Sequence, residues 1–154
     1  QEAGAVLKEV EYLEDRLGNT VDVGNPLISI LLNEYREAAE AKGIDFDFDV
    51  SVPGELNVSA SDLYILMGNT LDNAIDACCL LPEKERYIRL QLRLVRGMLF
   101  YCVKNPCTAT PTVKEGKNHG YGLKSVEKCV KKYKGNMRIS CSEGYFEFAA
   151  HLNL

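Results

Sequence analysis

Five short segments in which apolar and polar residues alternate limit this chain to a fold built on a β-sheet. The segment "IDFDFDV" at 44–50 alternates strictly between apolar and acidic residues, which predicts a strand with one buried and one wet side. Residues 86–104 and 136–154 each resemble two such strands, joined at Arg96 and Gly97 and at Glu143 and Gly144. Helical periodicity separates these segments, so the pattern predicts an α/β fold.

The helices follow from apolar spacing and from capping residues, and we predict them at 3–17, 26–42, 60–80 and 122–133. The first carries a narrow apolar seam (Val6, Val10, Leu13 and Leu17), typical of one strand of a coiled coil. Ser59 and Asp62 resemble a capping box at the start of the third helix. Its predicted apolar stripe comprises Leu63, Leu66, Met67, Thr70, Ala74, Ile75 and Cys78.

These elements predict a two-layer α/β sandwich. Helices 26–42, 60–80 and 122–133 would cover one face of a mixed, mainly antiparallel sheet. A chain of 154 residues is large enough for one such domain with an appendage. The stretch from Asn105 to Tyr121 lacks periodicity, and in a compact domain a loop of this length is typical of a lid.

Composition excludes several classes of protein. A net charge of -4 without a broad basic patch argues against nucleic acid as the main ligand. No apolar run approaches the ~20 residues that span a bilayer. The chain begins at Gln1 rather than Met, so we expect a fragment of a longer protein. The six cysteines lack the paired spacing of a zinc site and are expected to be reduced core residues: Cys78, Cys79, Cys102, Cys107, Cys129 and Cys141.

The third helix also carries a polar stripe at i, i+3, i+4 and i+7, formed by Asn69, Asp72, Asn73 and Asp76. One interpretation is a solvated helix face. Such faces normally contain Glu, Lys and Arg, however, and none of these occurs from residue 62 to Pro82. Short polar side chains leave room for a ligand, and an asparagine carbonyl is a hard oxygen ligand suited to Mg²⁺.

The stretch "HGYGLKSV" at 119–126 places two glycines at the start of the fourth helix. Backbone N–H groups and the positive end of the helix dipole would bind phosphate there. A flexible loop entering a helix is the alternative for this stretch alone. Together with the polar stripe, it indicates a site for a magnesium nucleotide.

The order of these motifs carries a family resemblance. A helix with N-x-x-D-N-A is followed by a hairpin ending in "VKNPC", a long loop, "GYGL" opening a helix, and a final hairpin. This order resembles the ATP-binding catalytic domain of sensor histidine kinases, in the GHKL superfamily that also holds gyrase and MutL. The stretches "VGNPLISILLNEYREAAEAKGIDF" and "HGYGLKSV" are similar to quorum-sensing peptide receptors of the accessory gene regulator type.

The resemblance implies a Bergerat-type fold that binds ATP and Mg²⁺. It implies that Asn73 coordinates the metal and that Asn69 supports the phosphates or the metal's water shell. Relatives that hydrolyse ATP carry a glutamate base at the position of Asn69, and an amide cannot accept that proton. This difference favours phosphoryl transfer to a neutral imidazole, although Asp72 or Asp76 could act as a weak base.

The resemblance also implies that Asn105 binds the adenine amino group. The family pattern there is Asp-x-Gly-x-Gly, whereas this chain has Asn105, Pro106 and Cys107. An amide forfeits the charge-assisted strength of a carboxylate, on the order of 1 kcal/mol, so adenine binding should be weaker. The residues implied to contact nucleotide are Asn69, Asp72, Asn73, Asp76, Asn105, Lys117, His119, Gly120, Tyr121, Gly122, Leu123 and Lys124.

The implied organisation is the C-terminal part of a dimerisation helix at 1–20 and a catalytic domain at 21–154. The phosphoacceptor histidine would be missing, since neither His119 nor His151 lies on such a helix. The full-length protein would be a homodimeric, membrane-anchored receptor with this domain in the cytoplasm and a response regulator as its partner. Two other readings stay open, a degenerate nucleotide-binding scaffold and an ATP hydrolase of the same superfamily.

Overall fold

The computed structural model describes residues 20–108 and 119–154, except for the side chains of residues 119–121. The predicted helix at 3–17 lies outside the described residues, as does the predicted lid from 109 to 118. The described elements are α1 (Pro26–Glu40), β1 (Asp45–Ser51), α2 (Ala60–Cys79), a 3-10 turn (Glu83–Glu85), β2 (Tyr87–Val95), β3 (Met98–Pro106), α3 (His119–Lys132), β4 (Asn136–Ser142) and β5 (Tyr145–Asn153).

The strands form one five-stranded sheet in the order β1-β2-β3-β5-β4. Strand β1 pairs with β2 in parallel, and the other three pairings are antiparallel. The helices pack on one face of this sheet, and the core lies between the two layers. The described residues therefore confirm the predicted two-layer α/β sandwich with a mixed, mainly antiparallel sheet.

Strand β1 shows why the alternating pattern specifies this layer. Phe46 is buried against the helices, whereas Asp45 and Asp49 lie on the open face of the sheet. There Asp45 pairs with Arg89 of β2 at 2.9 Å, and Asp49 pairs with Arg93. Because side chains alternate between the two faces of a strand, shifting β1 by one residue would bury these carboxylates.

Helices α1 and α2 begin at the capping residues that the sequence predicts. The Asn25 side chain accepts the backbone N–H of Ile28 at 3.2 Å, and Pro26 occupies the first turn. In α2 the whole predicted apolar stripe is buried. Among the described helices, none is long and apolar enough to cross a membrane.

The capping box of α2 differs from the prediction. The Ser59 hydroxyl accepts the N–H of Asp62 at 3.1 Å, but the Asp62 carboxylate does not return to the N–H of Ser59. Instead the Tyr133 hydroxyl bridges them, accepting the Ser59 N–H at 3.2 Å and donating to Asp62. Lys132 donates to the same carboxylate oxygen at 2.8 Å. The start of α2 is thus fastened to the end of α3.

The hydrogen bonds of Asp62 with Lys132 and Tyr133 predict that the stability of the fold depends on pH. The hydrogen bonds from Lys132 and then Tyr133 lower the pKa of Asp62 to about 2. The stabilisation is therefore complete above the ordinary carboxyl pKa and is lost as pH falls from about 4 to about 2. We expect Asp62→Asn to lower the free energy of unfolding by about 1–2 kcal/mol at pH 7. Urea unfolding at pH 7 and at pH 2.5 checks this.

The control is Glu127→Gln, which breaks an exposed ion pair with Lys131. Since exposed pairs contribute little, no measurable change is expected in that variant. A difference between wild type and Asp62→Asn that stays constant down to pH 2.5 would contradict the assignment.

Two predicted boundaries need correction. Helix α3 begins at His119 rather than at residue 122, so both glycines lie inside its first turn. Strand β3 runs through Pro106, so Asn105 lies in a strand and not in a loop. The pairing of β3 with β2 ends at Lys104, and beyond it β3 pairs only with β5. Proline is tolerated there because that side of the strand requires no N–H donor.

The cysteines also differ from the prediction of six core residues. Only Cys78 and Cys129 are buried, whereas Cys79 and Cys141 are exposed and Cys102 and Cys107 are intermediate. All six are free thiols in the described residues.

Candidate functional site

A small pocket lies between the sheet and helices α2 and α3. Its lining comprises Thr70, Asn73, Val103, Asn105, Leu123, Phe146 and Phe148. The apolar members come mainly from β3 and β5, and three side chains supply polar atoms. The enclosed space of the pocket, about 10 Å³, is far below the ~300 Å³ of the smallest typical ligand pockets, so its walls would have to move apart to admit a ligand.

Asn73 and Leu123 line this pocket together. Asn73 lies in the middle of α2, and Leu123 lies in the second turn of α3. The two stretches singled out by the sequence, the polar stripe and the glycine pair, therefore border one cavity. A ligand in this cavity would contact both helices at once.

Asn69, one turn before Asn73, faces the start of α3. Its Nδ2 atom donates to the carbonyl of Ile65 at 2.8 Å, which leaves Oδ1 directed away from its own helix. A Cβ atom at Gly122 would lie 3.0 Å from this Oδ1. The absence of a side chain at Gly122 thus allows the backbone of α3 to approach the Asn69 amide closely.

Asn105 forms one polar end of the pocket. It is 2% exposed, and its Nδ2 atom donates to the carbonyl of Pro106 at 2.9 Å. That hydrogen bond fixes the amide orientation and leaves Oδ1 as the acceptor. Asn105 lines the pocket, so Oδ1 is the atom through which this amide could accept a hydrogen bond there. The site therefore presents an acceptor to an amino group of a ligand.

A buried hydrogen bond joins the pocket residue Thr70 of α2 to Tyr101 of β3. The hydroxyls of Thr70 and Tyr101 lie 2.6 Å apart, and Thr70 also donates to the carbonyl of Leu66. Burial raises the pKa of the Tyr101 hydroxyl strongly, so it stays protonated. This hydrogen bond links β3 to α2 next to the cavity.

The carboxylates of the stripe lie elsewhere. Asp72 and Asp76 are exposed, and neither lines the pocket. The Tyr35 hydroxyl of α1 donates to the carbonyl of Gly68 at 3.3 Å and lies near Asp72. Partial desolvation raises the pKa of Asp72; the nearby Tyr35 hydroxyl opposes this and the charge of Asp76 adds to it. The structure thus directs Asp72 towards α1.

The remaining predicted contacts are only partly described. Lys124 is exposed near the start of α3. Gly120 lies in the first turn of α3, as do the backbones of His119 and Tyr121, whose side chains lie outside the described set. Lys117 lies outside the described residues.

Sequence reasoning missed several pocket residues. Thr70 had been assigned to the apolar stripe, although it is the one hydroxyl in that stripe. Val103 precedes Asn105 by two residues, and Phe146 and Phe148 are paired with Asn105 and Val103 across β3 and β5. Strand alternation places these side chains on the same face, and that signal could have found them once the hairpins were paired.

The contact between Gly122 and Asn69 predicts opposite effects of one substitution on folding and on ligand binding. Alanine favours a helix over glycine by up to about 1 kcal/mol, so Gly122→Ala should keep or raise the thermal midpoint. Its Cβ would crowd Asn69 Oδ1 and push the two helices apart by a few tenths of an ångström. We expect nucleotide affinity to fall roughly tenfold, since small displacements in a binding constellation are costly.

Calorimetric unfolding and titration with a magnesium nucleotide measure the two effects of Gly122→Ala separately. The control variant is Ser125→Ala, at an exposed position on the same helix. Equal loss of stability and affinity in Gly122→Ala would contradict this account.

Comparison with known proteins identifies the family of the chain. A family model described as the GHKL domain matches residues 58–153. A search of curated proteins found no match. The catalytic domain of histidine kinase ThkA shares 17% identity with a TM-score of 0.67, over 83% of this chain and 90% of that one.

Two further solved structures have the same fold. Full-length ShkA in complex with AMPPNP shares 18% identity with a TM-score of 0.64, covering 87% of this chain and 30% of that one. The histidine kinase AdeS of Acinetobacter baumannii shares 13% identity with a TM-score of 0.62, covering 97% of this chain and 77% of that one. These likenesses establish the fold, and the family model covers more than half of the chain. The chain therefore belongs to the GHKL domain family.

Proposed function

We propose that this domain binds ATP with Mg²⁺ and transfers the γ-phosphoryl group to a histidine on a dimerisation helix. The observation that carries the proposal is the common pocket of Asn73 and Leu123, with the Asn69 amide against Gly122. An amide-bearing helix and the start of a second helix face one cavity there. GHKL membership supports ATP as the nucleotide.

The base would occupy the described pocket. Val103, Phe146 and Phe148 would supply apolar surface for the faces of adenine, and Asn105 Oδ1 would accept a hydrogen bond from its amino group. The ribose and phosphates would then extend towards Asn69 and the first turn of α3. Backbone N–H groups of that turn, which lack partners within the helix, would bind the phosphates.

The residues present fit a magnesium ion. Asn73 borders the cavity, and Asn69 presents Oδ1 towards α3. Amide oxygens are hard ligands, and Mg²⁺ keeps several waters and phosphate oxygens around one or two protein ligands. Asn73 would be the protein ligand, with Asn69 in support. When bound, the ion neutralises charge on the phosphates during transfer.

The side chains favour transfer over hydrolysis. Asn69 stands where a base would activate water, and an amide accepts no proton at neutral pH. Asp72 does not line the pocket and lies near Tyr35 of α1. A neutral imidazole needs no base to act as a nucleophile, since its ring nitrogen already carries a lone pair.

The wider organisation rests on the resemblance described above. Residues 1–20 would be the end of a dimerisation helix, and 21–154 the catalytic domain. The acceptor histidine would lie on that helix, and the partners would be a second subunit and a response regulator. We propose that the chain is of the accessory gene regulator type of peptide receptor, with this domain on the cytoplasmic side of the membrane.

Two measurements test the proposal. Calorimetric titration with Mg-ATP should give a saturable signal in the 154-residue chain. Radiolabelled ATP should label a separately supplied dimerisation helix bearing a histidine, but should not label this chain stably. No binding would favour the scaffold reading, and phosphate release without an acceptor would favour the hydrolase.

A further inference from the structure

Two cysteines meet beside the pocket. The Sγ atoms of Cys107 and Cys141 lie 3.8 Å apart, although 34 positions separate them in sequence. Cys107 follows Pro106 at the end of β3, and its N–H donates to the carbonyl of Gly144 at 2.9 Å. Cys141 lies in β4. The β4–β5 hairpin therefore holds both thiols at one corner of the sheet.

This corner adjoins the pocket. Cys107 lies two residues beyond Asn105, and Cys141 is paired with Phe146 across β4 and β5. Asn105 and Phe146 both line the cavity, so each thiol neighbours a pocket residue. A covalent bond between the thiols would restrain both of these pocket residues.

The pair is also accessible. Cys141 is exposed and Cys107 is half-buried, whereas Cys78 and Cys129 are buried. Two other cysteines are at least partly accessible. Cys79 is exposed at the end of α2, and Cys102 lies on the open face of the sheet. Among the described residues, Cys107 and Cys141 are the cysteines in mutual side-chain contact from different strands.

We propose that Cys107 and Cys141 form a modification site beside the pocket, where low-molecular-weight disulfides oxidise the pair and so weaken nucleotide binding. The effect on binding rests on the proposed function, whereas the oxidation does not.

The chemistry is thiol–disulfide exchange. The thiolate of one cysteine attacks a sulfur of the small disulfide, forming a mixed disulfide and releasing one small thiolate. The second cysteine then attacks the protein sulfur, forming the Cys107–Cys141 bond and releasing the other small thiolate. The protein loses two electrons, which reduce the small disulfide, and the two thiol protons are taken up by the released thiolates. A disulfide has an S–S length of about 2.05 Å, so the two sulfurs must approach each other.

The environment of Cys107 disfavours its thiolate. Burial, and then the hydrogen bond with Cys141, raise the pKa of the Cys107 thiol to about 11. Since the thiolate is the reactive form, little of it is present at neutral pH.

The test uses the full 154-residue chain and oxidised glutathione as the probe. Peptide mass spectrometry should find a Cys107–Cys141 cross-link in the wild type, and mixed glutathione disulfides in Cys107→Ser and Cys141→Ser. Cys79→Ser is the matched control and should cross-link as the wild type does. Circular dichroism confirms that each variant is folded.

The binding arm compares oxidised and reduced protein in titration with Mg-ATP. Because displacements of about 1 Å in a binding constellation cost on the order of 10²-fold, we expect oxidation to weaken binding by at least roughly tenfold. The reductant dithiothreitol should restore it, and the double variant Cys107→Ser with Cys141→Ser should be insensitive.

Absence of the cross-link in folded wild type would overturn the proposal. A cross-link that leaves Mg-ATP affinity unchanged would overturn its regulatory part. Failure of the reduced protein to bind Mg-ATP would instead count against the proposed function, since the mass measurement reads the cross-link independently.

Discussion

Replacing Asn73 by alanine is expected to abolish measurable binding of Mg-ATP and to lower phosphoryl transfer by on the order of 10²-fold or more. Asn73 is the stripe residue that lines the pocket, and it is the proposed protein ligand of the metal. Alanine removes the ligand oxygen while favouring the helix, so the free energy of unfolding should not fall. Titration calorimetry and transfer of radiolabel to a supplied acceptor helix measure the effect.

Asp76 supplies the control for this prediction. It lies on the same helix but is exposed and outside the pocket lining, so Asp76→Ala should change affinity little. Asn73→Asp is a second variant, which keeps an oxygen ligand and should retain part of the metal-dependent binding. Equal affinities of Asn73→Ala and wild type for Mg-ATP would remove the basis of the proposed function.

Replacing Gly135 by alanine is expected to destabilise the fold by roughly 3 kcal/mol, at the upper end of overpacking effects. Gly135 lies between α3 and β4, and its N–H donates to the carbonyl of Val130 at 2.9 Å. A Cβ atom there would overlap the backbone carbonyl of His151 in β5. Backbone cannot rotate away as a side chain can, so the turn would have to separate from the sheet. Thermal unfolding should show a lower midpoint.

Gly144 provides the matched control. It lies in the β4–β5 turn with a φ of 84°, and a Cβ there would meet no atom within 4 Å. Gly144→Ala therefore costs backbone strain alone, about 1–2 kcal/mol. If the two alanine variants lose the same stability, steric overlap with His151 is not the reason that position 135 is glycine.

Local patterns in the sequence predicted most of the secondary structure. Helix α2 was predicted at 60–80 and is observed at Ala60–Cys79, because Ser59 caps it and the apolar period of its residues is unbroken. Strand β1 followed from strict alternation of apolar and acidic residues. The errors in the predicted boundaries occur where one local sequence pattern is compatible with two structures. The glycines before Leu123 were taken to end a loop, but they lie inside the first turn of α3.

Asn105 illustrates the same limit at the site. The stretch from Asn105 to Tyr121 lacks periodicity, which placed Asn105 in a loop. Whether a proline interrupts a strand depends on which neighbouring strand would need its N–H, and β2 has already ended at that point. The neighbour of a strand is a property of the whole sheet, so no local pattern contains this information.

The sequence by itself determined the five strands, the core helices and the polar stripe of α2, because each depends on residues close together in the chain. The sequence also supplied the amides Asn69 and Asn73 and the glycines Gly120 and Gly122. Only the tertiary structure decided that Gly122 lies against Asn69, that Phe146 and Phe148 complete the pocket, and that Cys107 meets Cys141. These contacts join elements that are distant in sequence, and they depend on strand order and on which helix faces meet.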